Sequence, residues 1–286
     1  MNRYRHDLAA ARIRLLTPPA PLAVHDGVEF LEIGRGRPVL VVHGSNGGWD
    51  QAVDWAGRRL GPGFRTIAVS RYGYLGSRLP AGASTSGQAD HLAGLLDHLG
   101  LDRVDVVSLS AGSTTAVRLA LRHPERVRRL VLESPVLPAE RPLRLPPTAA
   151  LRLMLHTEVP TWLATLAPRL VSRAGGIPWN RLDTAGRAEL REIMLTMLPV
   201  TPRRAGMLFD NTVTAPETLR DELPWEQLAA PTLVLTAVDS PLPKPADAQA
   251  ITARIPQGRL ELMPSGGHLL LGNVPRLREV LRDFLI

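Results

Sequence analysis

Three side chains in this sequence have the types that acyl-transfer chemistry uses, in an order that could be put to work. Ser110 lies in Val104-Asp105-Val106-Val107-Ser108-Leu109-Ser110-Ala111-Gly112, where a β-branched run gives way to small residues and then to helical spacing. A serine on a sharp strand-to-helix turn has its hydroxyl lifted above the end of a sheet, where it can act as a nucleophile. The usual spacing is Gly-x-Ser-x-Gly; here it is Ser108-x-Ser110-x-Gly112, with serine at the first glycine position. A serine nucleophile needs a base, and the base an orienting carboxylate. Asp239 follows the apolar run Pro231–Thr236, and His268 follows Leu260–Met263 through Pro264-Ser265-Gly266-Gly267. Glu133, just past the run ending at Leu132, is a rival for the acid. Asp239 is favoured, because the acid more often follows the later strand.

The elements needed to bring these residues together are legible. Pro38–Val42, Arg65–Ser70, Val104–Val107, Val127–Leu132, Pro231–Thr236 and Leu260–Met263 read as strands. Asp50–Leu60, Ser86–Leu99, Ala111–Leu121, Pro245–Ile255 and Pro275–Leu285 read as helices between or after them. Continuous apolar strands alternating with helices predict an α/β fold with a doubly wound, mostly parallel sheet. Leu22–His25 and Val28–Ile33 around Asp26-Gly27 predict a β-hairpin. The carboxyl edge of such a sheet is where sites form, and Ser110, Asp239 and His268 all follow strands at that edge.

Between about Leu137 and Thr214 the alternation stops. Helical spacing over Thr148–His156, Thr161–Ser172, Thr184–Leu198 and Pro202–Thr212 is punctuated by prolines. The stretch is too rich in Leu and Met to stay unfolded. The expected organisation is therefore an N-terminal lead-in over residues 1–21, partly helical and ended by Pro18-Pro19. A core follows over 22–136 and 215–286, with an inserted helical cap over 137–214. Asn46, in the loop after Val42, and Met207 and Phe209 on the cap are candidate substrate contacts.

His43-Gly44, Ser108-x-Ser110-x-Gly112, Arg122-His123-Pro124-Glu125-Arg126-Val127, Pro231-Thr232-Leu233-Val234 and Gly267-His268 occur in one order on the expected elements. Together they resemble the α/β-hydrolase superfamily from residue 22 or so to the end. The resemblance implies Ser110 as nucleophile, His268 as general base and acid, and Asp239 as the orienting acid. It also implies an oxyanion hole from the N–H groups of Ser45 and Ala111, with Asn46 on the same loop. The expected activity is a serine hydrolase acting on an ester, lactone or thioester of a small apolar acyl compound. A carbon–carbon hydrolase or lyase on the same frame, or a ligand-binding homologue without catalysis, are the other readings.

Composition narrows the partners. The 286 residues carry 44% hydrophobic side chains and no cysteine, which excludes disulfides and thiolate metal sites. No metal cluster, phosphate-cradling loop or cofactor motif stands out; Gly44-x-x-Gly47-Gly48 lacks the lysine of a P-loop. The net charge of +7 is almost wholly arginine, with Lys244 the one lysine. These arginines are scattered and aromatics are 4%, so no nucleic-acid face is expected. There is no secretory signal pattern and no apolar run of membrane-spanning length. The expectation is a cytoplasmic protein with a small-molecule substrate, no membrane partner, and a homodimer as the candidate assembly.

Overall fold

The computed structural model describes residues 2–139 and 144–286. In chain order the elements begin with α1 (Asn2–Leu16), β1 (Ala23–His25), β2 (Val28–Gly34), β3 (Arg37–Val42), α2 (Trp49–Arg59), β4 (Phe64–Val69), α3 (Thr85–His98), β5 (Val104–Leu109), α4 (Ser113–Arg122) and β6 (Val127–Glu133). Then come α5 (Thr148–Met154), α6 (Val159–Thr165), α7 (Pro168–Ala174), α8 (Thr184–Thr196), α9 (Arg204–Phe209) and α10 (Ala215–Leu219). The chain closes with β7 (Thr232–Ala237), α11 (Pro245–Arg254), β8 (Gly258–Met263) and α12 (Val274–Leu285).

The strands form one sheet in the order β1-β2-β4-β3-β5-β6-β7-β8. The β1–β2 and β2–β4 pairs are antiparallel and the other five are parallel. The expected hairpin is present. Its turn residues Asp26 and Gly27 have φ of 44° and 76°, the double positive φ that a two-residue hairpin turn requires.

The strands are apolar on both faces because helices cover both. Along β3, Leu40 and Val42 pack into a cluster with Leu92 and Leu96 of α3, Val117 of α4 and Ile251 of α11. Val39 and Val41 join the opposite cluster with Trp49 and Trp55 of α2 and Leu277 and Leu281 of α12. On α12 the buried residues Leu277, Val280, Leu281 and Leu285 each contribute about 1.5–3 kcal/mol.

Between β6 and β7 the chain is helical, as the spacing predicted, with different seams; residues 140–143 lie outside the described residues. The helix expected over Thr161–Ser172 is two, α6 and α7, because Pro168 has no N–H to continue a helix and instead opens the next one. The last expected helix runs from α9 into a π-helical turn, Asp210–Thr214, and on through α10 to Leu219, seven residues past its expected end at Thr212. The lead-in is largely the helix α1, which docks on this segment. Trp162 donates to Asp7 at 3.0 Å and its ring meets Tyr4 edge-on.

Candidate active site

Ser110 closes β5 and opens a single 3-10 turn, Ser110–Gly112, that leads into α4. Its φ is +46°, a left-handed conformation that costs a non-glycine residue about 1–3 kcal/mol. Gly112 is required here. A Cβ at this position would stand 2.5 Å from His43 O and 2.7 Å from Val42 O. Ser108, at the first glycine position of the motif, and Ser113, at the start of α4, have specific partners. The buried Ser108 hydroxyl donates to Val131 O of β6 at 3.3 Å. The Ser113 hydroxyl donates to Ser110 O at 2.7 Å and accepts the Val136 N–H at 3.2 Å. These bonds tie the strained turn to β6 and to the loop that follows it.

His268 sits in a 3-10 turn beyond β8, after two glycines with φ of 123° and 60°. Its N–H donates to Gly175 O at 2.8 Å. A Cβ on Gly267 would meet that same oxygen at 2.1 Å, so the approach of α7's end to this loop depends on glycine. The imidazole Nε2 lies 3.1 Å from Ser110 Oγ. Nδ1 faces the Leu242 carbonyl, which can only accept, so Nδ1 carries the hydrogen and Nε2 is left to accept the serine proton. Burial pulls the pKa of His268 below its ordinary value, opposed by the Leu242 carbonyl.

Asp239 is not placed as the spacing suggested. Its carboxylate accepts the N–H groups of Gly267 at 2.8 Å and Gly266 at 3.3 Å. The acceptor at His268 Nδ1 is instead the Leu242 carbonyl, three residues further along the same loop. Asp239 thus holds the turn that carries the histidine, and two free N–H groups compete successfully for its oxygens. The rival, Glu133, is buried at the end of β6. It accepts from Trp55 Nε1 at 2.9 Å and stands 3.2 Å from Arg59 Nε. Burial raises its pKa, against the pull of Arg59 and the Trp55 bond.

The loop after β3 is fastened by groups that sequence reasoning passed over. The Gly44 N–H is taken by Gln51 Oε1 at 2.9 Å. Ser45 is exposed, and Ala111 is buried in the first helical turn, where backbone N–H groups lack intrahelical partners. Arg71, fully buried, donates to His43 O at 2.9 Å and Gly44 O at 3.2 Å. It also forks onto Asp210 at 2.6 and 2.7 Å. His43 donates from Nδ1 to Gly44 O at 2.7 Å and accepts the Arg71 N–H at Nε2, 2.9 Å. Burial and the Arg71 charge hold His43 well below its ordinary pKa, so it shapes the loop as a neutral ring. A second fork runs the opposite way, from Arg203 in the helical segment to Asp50 of α2 at 3.0 and 2.7 Å. The signal for Arg71 was its place in a Tyr- and Gly-rich loop directly after a parallel strand. Nothing in the sequence pairs it with Asp210.

Ser110 and His268 open onto a cavity of about 250 Å³. Asn46 lines it, and so do Leu109, Trp55, Ile193, Thr196 and Met197. Met207 and Phe209 do not line this cavity. Phe209 is buried and meets the Tyr72 ring. Met207 packs on the cluster of Leu151, Leu155 and Val200. The helical period put both on an apolar face, and that face turned towards other helices. At the solvent edge Arg58 bridges Asp54 at 2.8 Å and Glu192 of α8 at 2.7 Å. Among the described residues no cluster of three or more His, Asp or Glu side chains could hold a metal ion, and no helix is long and apolar enough to cross a membrane.

Residues 37–273 match the family model described as the alpha/beta hydrolase fold, and the chain belongs to that family. It is similar to the uncharacterized hydrolase YcgS of Bacillus subtilis, 26% identical over 260 residues, covering 85% of this chain and 88% of the relative. A solved alpha/beta hydrolase fold protein from Nakamurella multipartita superposes with a TM-score of 0.68 at 29% identity, covering 90% of this chain and 95% of that one. A more local match, 40% identical over 107 residues, links 35% of this chain to 38% of the 2-hydroxy-6-oxo-2,4-heptadienoate hydrolase of Pseudomonas putida. The protein is thus an α/β hydrolase.

Proposed function

We propose that the protein hydrolyses an ester, lactone or thioester of a small acyl compound through an acyl-enzyme on Ser110. The observation that carries this reading is the 3.1 Å contact between Ser110 Oγ and His268 Nε2, on a serine held at positive φ and open to a cavity. Ser110 Oγ bonds to the carbonyl carbon while its proton passes to His268 Nε2. The oxyanion that forms is met by the N–H groups of Ala111 and Ser45. As the intermediate collapses, the carbon–oxygen or carbon–sulfur bond breaks and the leaving group takes the proton from His268. Water then repeats the sequence on the acyl-enzyme and frees the acid. In this scheme Asp239 is a positioning residue, acting through Gly266 and Gly267. The helical segment from about 137 to 219 serves as the cap, with Ile193, Thr196 and Met197 supplying its contacts to the acyl chain.

A second reading is hydrolysis of a carbon–carbon bond beside a ketone, favoured by the 40% local identity to a heptadienoate hydrolase. One experiment separates these readings from a binding protein without catalysis. A fluorophosphonate probe should label Ser110, and Ser110→Ala should abolish the adduct. An adduct on Ser108, or none, would overturn the assignment. Turnover of simple esters but not of vinylogous diketones would select the first reading over the second.

A further inference from the structure

The helical segment carries apolar surface that no described residue covers. Among the described residues fifteen large hydrophobic side chains are exposed, and six of them, Leu153, Met154, Val159, Leu163, Leu166 and Leu170, fall within residues 153–170. Single exposed apolar residues need no explanation, whereas a cluster marks an interaction surface. The extreme case is α6, whose sequence Val-Pro-Thr-Trp-Leu-Ala-Thr has no charge and no buried residue. Val159 and Leu163 of α6 and Leu166 at its C-cap recur at helical spacing and are 42%, 51% and 38% exposed. The row continues into α7, where Leu166, Arg169, Leu170, Trp179 and Arg191 share one shallow surface cleft and Leu170 is 70% exposed. The charge along this row has one sign. From residue 144 to 182 the sequence holds Arg144, Arg152, Arg169, Arg173 and Arg181, and Glu158 as its sole acidic residue. Glu158 is turned inward, 7% exposed, and takes the Thr201 N–H at 3.0 Å. Arg169 and Arg173, one turn apart on α7, are exposed, and Arg191 of α8 lies 5.2 Å over the Trp179 ring. The flanking carboxylates are engaged: Asp7 with Trp162 at 3.0 Å and Arg3 at 3.7 Å, Asp183 with the Gly186 N–H at 2.7 Å.

We propose that α6 and α7 form a docking face for an anionic lipid surface. Val159, Leu163, Leu166 and Leu170 enter the headgroup boundary, and Arg169 and Arg173 stand against lipid phosphates. An apolar row flanked by arginine, with tryptophan beside it, is the pattern of segments that lie in such a boundary. The proposal goes beyond the hydrolase reading and needs no part of it. The expectation of no membrane partner rested on the lack of a spanning run, and a helix that lies on a surface needs none. A second copy of the chain fits this face less well. Pairing about a twofold axis sets the same patch against itself, so Arg169 and Arg173 would meet arginines and no exposed carboxylate of α6 or α7.

Vesicle flotation of the full chain is the test, with vesicles of phosphatidylglycerol in phosphatidylcholine beside vesicles of phosphatidylcholine alone. The chain should float with the anionic vesicles in dilute buffer and be released as salt is added. Arg169→Gln and Arg173→Gln should each weaken binding to the anionic vesicles roughly fivefold. Leu163→Gln and Leu170→Gln should each weaken it by roughly tenfold or more, because each removes an apolar side chain from the boundary. All four side chains are exposed and none lines the cavity, so the thermal midpoint should hold, which separates loss of docking from loss of fold. Absence of binding to anionic vesicles, equal binding to both kinds, or binding that survives all four substitutions would overturn the proposal. So would a dimer in sedimentation velocity that Leu163→Gln and Leu170→Gln dissolve, since it would assign this face to a second copy. Failure of the hydrolase reading would show in Ser110 labelling and leave the flotation result untouched.

Discussion

At the scale of single residues, the contact that most alters expectation is the one between Asp239 and the glycine turn. Asp239→Asn would keep a carbonyl for the Gly267 N–H but turn an NH2 towards the N–H of Gly266. Loss of one charged hydrogen bond, about 1.5–3 kcal/mol, corresponds to a fall of roughly ten- to a hundredfold in kcat. A fall nearer ~10⁴-fold, as in triads whose acid bonds the imidazole, would place the carboxylate on His268. Steady-state kinetics of the variant decides between them. The histidine gives a second expectation. Only its neutral form can take the Ser110 proton, so the rate rises with pH through its pKa, which burial has pushed below its ordinary value of about 6.5. The acid limb of the kcat/KM profile should therefore have its midpoint below that value. A midpoint above it would mean that an anion supports the imidazolium. That Ser110 would stand on a strand-to-helix turn and His268 on a glycine turn past the last strand could be read from the chain, because turn chemistry is local. Which oxygen faces Nδ1 could not, because it depends on how two loops from different strands settle against each other.

At the scale of elements, the helices between β6 and β7 show what a periodicity can and cannot say. Their existence followed from spacing, and their breaks followed Pro168 and the chain around Pro199. The side each presents to the cavity did not, since Phe209, Met197 and Ile193 are equally apolar and only tertiary docking distinguishes them. Met197→Ala or Ile193→Ala should shift hydrolysis towards longer acyl chains, by ~1–3 kcal/mol per methylene accommodated. Phe209→Ala should leave the chain-length ranking alone and cost about 3–5 kcal/mol of stability through the cavity it leaves. Ester-length profiles beside denaturant titrations of the three variants check this. A changed ranking in Phe209→Ala alone would return the acyl site to α9.

For the molecule as a whole, the mostly parallel sheet and both covered faces were legible because parallel strands buried on two sides can hardly be written in any other residues; the order of the strands in the sheet was not. The fastening of the helical segment was not. It depends on two buried forks that cross between segments, Arg71 to Asp210 and Arg203 to Asp50, each joining residues more than a hundred positions apart. Removing one partner of such a pair strands a buried charge, at about 3–5 kcal/mol. Arg14 of α1 adds a third guanidinium, reaching Asp50 at 3.2 Å, so even the first helix is tied to the same joint. This end of the helical segment is fixed.

The bridge from Arg58 to Glu192 is different in kind. It is partly exposed, spans α2 and α8 at the edge of the cavity, and is worth about 0–1 kcal/mol. Beside it, Glu189 of α8 accepts the Gly272 N–H at 3.1 Å, so the Arg58–Glu192 pair is the exposed one of the ties at this edge, and loosening it is expected to ease entry to the cavity. Added salt screens exposed pairs, so the bimolecular rate with an uncharged ester should rise with ionic strength, where an enzyme that steers a charged substrate would slow. Glu192→Gln should show the faster rate already in dilute buffer and lose the salt response. A parent rate indifferent to salt would mean that passage lies elsewhere.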